Sequence, residues 1–371
     1  MHSLQSNLPD TYTLPMVPSC RSRSSWNPGL SLISNAIAFV CATSVVFAQN
    51  QPQLEAHTAG HQTTFRIGER IPLDLNFTGP DDGSFQVGNE TYDRSGRRDY
   101  VEKFEVEPTQ GWADPLATFF VRDRPHIGGG ISAPPEKLSS TPHLLTRNLN
   151  EWVRFDQPGD YTITIVSQRT GPIPRPAHQE HGNPWIKSNP IHLHIIAATS
   201  EWQAQRLASI RVELAKPGGD FPAQQWQDAL ADLRFLGTPA AIDYMAQNLR
   251  DDRLWICQES ALGLAGVPRD LRPYALTALR RELQDPDFPI SSWYFAAALS
   301  LQREADGSVE EADRIDAASY LAILSSLPGK NAEARSSTAK MLHADSGMIE
   351  KLTPAEKAQL IVALPPPVDV H

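Results

Sequence analysis

Histidine is the residue type whose placement in this chain most invites chemistry. Eight of the eleven histidines fall between residues 57 and 194: His57, His61, His126, His143, His178, His181, His192 and His194. His192 and His194 alternate with Ile191, Leu193 and Ile195, so a strand there would put both imidazoles on one face. His178 and His181 lie just upstream, in a stretch rich in Pro and Gly. Imidazole pairs at such spacings can bind Cu or Zn. His178, His181, His192 and His194 are therefore the candidate metal ligands, with Glu180 as the candidate for a further one. The segment His178-Gln179-Glu180-His181 lacks the zincin spacing and is too Pro-rich for a helix. The competing expectation is a pair of solvent-facing strand histidines and no resident cofactor.

Patterns for other chemistry are missing. The chain has no Gly-x-Ser-x-Gly elbow, no P-loop, no Gly-x-Gly-x-x-Gly after a strand and no His-Glu-x-x-His, so no catalytic residue is assigned and an enzyme is not expected. Gly128-Gly129-Gly130 is followed by Pro134-Pro135 rather than by a helix start, which argues against a phosphate cradle. It falls in what reads as one long loop, residues 122–150. Cys257 shares a helical face with Ala261 and Leu264 and reads as a buried thiol. Trp112 and Trp185 flank Gly/Pro loops and could stack on a sugar ring. Asn76-Phe77-Thr78 and Asn89-Glu90-Thr91 are glycosylation sequons, relevant only in a host that uses them.

The first fifty residues point to export. Arg21 and Arg23 precede a mainly apolar, uncharged run from Leu30 to Phe47, which ends Val46-Phe47-Ala48-Gln49. A basic leader, an apolar run and a small-residue exit form a signal peptide, here over residues 1–48 with cleavage before Gln49. The alternative is an uncleaved anchor over residues 30–48, since about 18 apolar residues can just span a bilayer. A linker over residues 49–62 is expected next.

Residues 63–198 read as strands. Ile71, Leu73, Leu75 and Phe77 alternate with Pro72, Asp74 and Asn76, and Ile191, Leu193 and Ile195 do the same with the two histidines. Shorter runs lie at Val101–Val106, at Leu116–Val121 and around Trp152–Ile165. The segment from Phe155 to Ile163, with the turn Gln157-Pro158-Gly159-Asp160 before Tyr161, resembles the entry to the penultimate strand of immunoglobulin-like sandwiches. The resemblance implies a tyrosine corner, in which the Tyr161 hydroxyl bonds back to upstream backbone, and a β-sandwich of about seven strands.

At Ser200 the period changes. Ser200 and Gln203 read as a capping box before Leu207, Ile210 and Leu214. Thr238-Pro239 gives a cap and an N1 proline, and runs of helical length continue through Leu254–Leu264, Leu271–Leu283, Ile290–Leu301 and Ile315–Leu324. Thr353-Pro354-Ala355-Glu356 opens a last helix. Asp251–Leu264 is similar to Asp285–Leu301 at an offset of about 34 to 37 residues, the scale of a stacked helical repeat. Leu236-Gly237-Thr238-Pro239-Ala240-Ala241 before a helix is similar to what HEAT-like α-solenoids show. That resemblance, over roughly residues 222–364, implies an antiparallel array of helix pairs in a helical domain of residues 200–364, with residues 365–371 a disordered tail; the alternative is a single compact helical bundle.

The expected fold is thus multidomain, β plus α. An N-terminal immunoglobulin-like β-sandwich would precede a C-terminal HEAT-like antiparallel helical array. The chain has 371 residues, 40% of them hydrophobic and 20% charged, which leaves ample apolar material for two cores. A net charge of −10 provides no basic surface for nucleic acid. Repeats that stack in one dimension mostly present surfaces to partners. The expectation is an exported, non-enzymatic interaction or scaffold protein of the cell envelope, periplasmic or extracellular, with a protein partner. The alternative is a secreted ligand-binding protein or enzyme that uses its β domain to hold metal or carbohydrate.

Overall fold

The computed structural model describes residues 51–89, 102–119, 134–173, 183–216, 223–251 and 253–303, with shorter pieces between 319 and 355. Residues 1–48, with the export signal or anchor, lie outside the described residues, as does the tail over residues 365–371.

Alternation decides the first half. β3 (Pro72–Thr78) buries Leu73, Leu75 and Phe77 and turns Asp74 and Asn76 outward, as a strand with one wet face must. It pairs antiparallel with β1 (Gln53–Thr58) on one side and β8 (His143–Asn148) on the other. The second sheet centres on β10 (Gly159–Ser167). This strand pairs antiparallel with β5 (Glu102–Glu107), β12 (Ile186–Lys187) and β13 (Ile191–Ile196), and β13 pairs parallel with β2 (Thr64–Arg66). Leu54, Leu73, Leu75 and Phe77 from the first sheet share one core with Val106, Ile163, Ile165, Leu193 and Ile195 from the second. Short pairings of β4 (Phe85–Val87) with β7 (Glu136–Lys137) and β11 (Thr170–Pro172), and of β6 (Trp112–Ala113) with β9 (Arg154–Phe155), complete this half.

Two polar devices fix it. The Asn189 side chain accepts from Ala56 N and donates to Ala56 O, at 2.8 and 2.9 Å, so its amide acts as a one-residue strand closing the outer edge of β1. Glu102 and Arg169, 0% and 1% exposed, form a buried pair, and Arg169 also reaches Gly88 O. Tyr161 is buried, and its hydroxyl lies 3.0 Å from Gln157 O and 3.1 Å from Gly111 O. The upstream backbone bond expected of Tyr161 is present.

Three expectations fail here. Residues 49–62 are not a plain linker but contain β1, whose Leu54 and Ala56 are buried in the sheet core. Residues 122–150 are not one loop, because β7 and β8 lie within them; β8 has Leu144, Thr146 and Asn148 at alternate positions, with too little polar contrast to mark a strand. Leu116–Phe119 is not a strand but a turn, closed by Phe119 N donating to Leu116 O, and its apolar side chains belong to the helical core.

The second half contains six helices among the described residues: α1 (Ser200–Leu214), α2 (Gln224–Phe235), α3 (Pro239–Asn248), α4 (Leu254–Ala265), α5 (Arg272–Leu283) and α6 (Ser292–Gln302). Thr199, Thr238 and Ser291 accept from backbone N–H groups of the first turns of α1, α3 and α6. The α1 cap is therefore Thr199, one residue before the expected Ser200. Consecutive helices pack in pairs, α1 with α2, α3 with α4, α5 with α6, while α2, α4 and α6 pack in a row and α3 packs on α5. The helices thus lie in two layers. The middle members are apolar nearly all round: α4 buries Ile256, Cys257, Ala261, Leu262, Leu264 and Ala265. No helix among the described residues is long and apolar enough to cross a membrane.

Candidate functional site

The expected histidine face exists in part. On β13, Ile191, Leu193 and Ile195 are buried while His192 and His194 are exposed on the opposite face. Each imidazole meets its cross-strand neighbour on β10: His192 Nδ1 lies 3.1 Å from Thr162 Oγ1, and His194 Nδ1 2.7 Å from Asp160 Oδ1. His178, Glu180 and His181 lie outside the described residues. Among the described residues no three His, Cys, Asp or Glu side chains are grouped to hold a metal ion. His143 bonds Asn89 Oδ1 through Nε2 and meets Glu136 through Nδ1 at 3.2 Å. Trp185 is half-exposed with Lys103 Nζ 4.6 Å above its ring. Trp112 donates to Pro108 O. Cys257 is buried, and its thiol donates to the carbonyl of Asp251 at 2.7 Å.

The densest polar constellation lies elsewhere, where the β-rich half meets the helices within the compact unit of residues 50–371. It begins with the turn before β3. Gly68 has φ +81°, and a Cβ there would stand 2.9 Å from Leu236 O, just past the end of α2, so only glycine allows this approach. Asn150 pins the same turn by accepting from Ile71 N and donating to Glu69 O. Arg70 is thereby aimed at α2, where it donates to Asp228 at 2.8 Å and to Asp232 at 3.1 Å. Asp232 also accepts from Arg206 of α1 at 2.5 Å. Burial pushes the Asp232 carboxyl above the usual aspartate range, although Arg206 and Arg70 pull the other way.

A second tie lies two residues further along α2, about half a turn on. Arg234, 6% exposed, donates to Glu151 of the β-rich half at 2.5 Å and to Glu259 of α4 at 2.6 Å. A third caps a helix. Asp156 orients Arg154, which donates through Nη1 to Gly266 O and Val267 O at 2.7 and 3.1 Å. These are carbonyls at the end of α4, where the helix dipole favours a cation. The fourth is partly apolar. Leu116 and Phe119 enter the helical core, and Thr118 between them bonds Ser300 of α6 at 3.0 Å and Arg272 of α5 at 2.9 Å.

A cavity of about 30 Å³ remains between Ile71, Leu116, Arg154, Arg234 and Leu262, room for little more than one water molecule. The guanidinium groups around it engage carboxylates and carbonyls on the facing half. Sequence reasoning missed Arg70, Glu151, Arg154, Asp232 and Arg234. The available signal was an acid inside an apolar stripe: Asp232 stands between Leu230 and Leu233, both buried.

These features define a mixed β-plus-α chain whose halves meet across a charged, largely filled junction. No protein-family model matches the chain, and no curated protein matches it.

Proposed function

We propose that this chain is an exported, non-enzymatic interaction or scaffold protein of the cell envelope, in which an immunoglobulin-like sandwich is joined to a HEAT-like helical array and a protein partner docks on the helices. The observation that carries the reading is the two-layer stacking of α1–α6, with α2 and α4 tied at their C-terminal ends to the β-rich half. Such stacking places the α3/α4 pair between the other two, and an array of this kind would leave an extended surface for a partner. The sandwich reading is supported by strand order. In that reading β1-β3-β8 would be the A-B-E strands and β5-β10-β13 the C-F-G strands, with Tyr161 near the start of β10 as the F strand. Cleavage before Gln49 would leave a periplasmic or extracellular product; retention of residues 30–48 would leave it membrane-anchored.

The test is affinity capture of the tagged full-length chain from its own cell envelope, with N-terminal sequencing of the recovered protein. A stoichiometric protein partner and an N-terminus near Gln49 are expected. An N-terminus at Met1 in the soluble fraction would overturn export. Stoichiometric Cu or Zn, lost on changing His192 and His194 to Ala, would favour the metal-binding alternative.

A further inference from the structure

The imidazoles of His192 and His194 are held by the protein on one side only. Both stand exposed on the outward face of β13, two residues apart, so their bases are about 6.7 Å apart along the strand. Each turns its Nδ1 toward β10, to Thr162 Oγ1 at 3.1 Å and to Asp160 Oδ1 at 2.7 Å. A carboxylate only accepts, so His194 carries a proton on Nδ1, and its neutral ring presents the Nε2 lone pair to solvent. The Thr162 hydroxyl can accept from His192 Nδ1 in the same way. An oxygen acceptor on one ring nitrogen is the support that metal-bound histidines use on the nitrogen away from the ion.

Two such imidazoles are half of a tetrahedral ligand set. Among the described residues no third His, Cys, Asp or Glu is grouped with them. A second copy of the chain supplies the other half. The side chains beside the pair are short, Thr64 on β2 and Thr162 and Thr164 on β10, which lets two such faces approach closely. Asp160 and Glu107, on the same outward face, add negative charge that favours a cation there. We infer that His192 and His194 bind one zinc-class divalent ion together with the same two histidines of a second copy, so that the ion joins two chains across a two-fold axis. The site lies on the β-rich half, is independent of the partner surface proposed on the helices, and would stand if that role failed.

Zn(II) is the probe, titrated into the full chain after removal of metal with EDTA, with mass followed by light scattering and zinc by elemental analysis. A monomer without zinc is expected, and a doubled mass carrying one zinc per two chains with it, reversed by EDTA. His194→Ala should abolish both zinc binding and doubling. Asp160→Ala, at a side chain 89% exposed, should leave the fold intact and raise the zinc concentration for half-dimerisation at least tenfold. His57→Ala, on the other sheet, should change neither. A mass unaffected by zinc, or a doubling that survives His194→Ala, overturns the inference. One zinc per chain, lost on changing His178 or His181, overturns the bridging and places the site within a single chain. Zinc binding unchanged in Asp160→Ala overturns the orienting role of that carboxylate.

Discussion

Arg234→Ala is the most direct probe of the junction. The guanidinium stands between Glu151 and Glu259, whose side chains are 10% and 21% exposed. Removing it leaves two carboxylates facing one another with little water, the situation in which breaking a buried ion pair costs about 3–5 kcal/mol. The partial exposure of Glu259 softens the penalty, so about 3 kcal/mol is expected. Glu151→Gln should cost less, about 1–2 kcal/mol, because Arg234 keeps Glu259 and an amide oxygen can still accept. The double variant should then be more stable than the sum of the singles predicts, by about 1–2 kcal/mol. Urea melts of the full chain, followed by tryptophan fluorescence and by far-ultraviolet circular dichroism, measure all three. Because the tie crosses between halves, both signals should shift together. A loss below about 1 kcal/mol, or a shift in one signal alone, would refute the claim that this pair joins the halves into one cooperative unit.

Three further outcomes are expected. Gly68→Ala should cost about 2 kcal/mol or more in the same melts, since it combines a positive φ with a 2.9 Å approach to Leu236 O; a neutral result would show that the turn does not lie on the end of α2. Tyr161→Phe should cost about 1 kcal/mol, at the low end for a lost buried bond, because Gly111 O still accepts from Asp156 N and Gln157 N and only Gln157 O is left short. Asp232→Asn should change the pH dependence of stability. The folded-state pKa of Asp232 is raised, so its contribution falls as pH rises from about 4 through that raised value. The stability of the natural chain minus that of Asp232→Asn should therefore decline over that window, and a rising difference would mean that Arg70 and Arg206 outweigh burial.

Much of the architecture was legible because it follows from one-dimensional periodicity. Ile71 to Phe77 and Ile191 to Ile195 announce strands by alternation, and Thr238-Pro239 announces a helix by its cap. Asp251–Leu264 and Asp285–Leu301 read as similar segments, and all but the last residue of α4 and of α6, which pack on each other in the same layer, falls within them. What failed was set by partners distant in sequence. Leu116 and Phe119 look like a short apolar strand, yet the core that buries them is made by residues from Leu207 onward. Gln53–Thr58 reads as a linker because its inward face, Leu54, Ala56 and Thr58, holds only one strongly apolar residue, and it becomes a strand only beside β3 and the Asn189 amide.

The junction was the least legible part, for a reason that bears on its role. Along α2, Asp228, Asp232 and Arg234 break the apolar pattern in a way that, read alone, suggests a wetter helix face. The structure instead buries Asp232 and Arg234 against charges from the other half. Desolvating such groups is costly, and the pairing that offsets the cost requires both halves in register. An apolar junction of equal area would tolerate sliding and rotation, because hydrophobic contact is non-directional. Arg70, Arg154 and Arg234 admit far fewer arrangements, since each guanidinium must meet particular oxygens at hydrogen-bond distance. The charged junction therefore trades stability for a defined register between the halves.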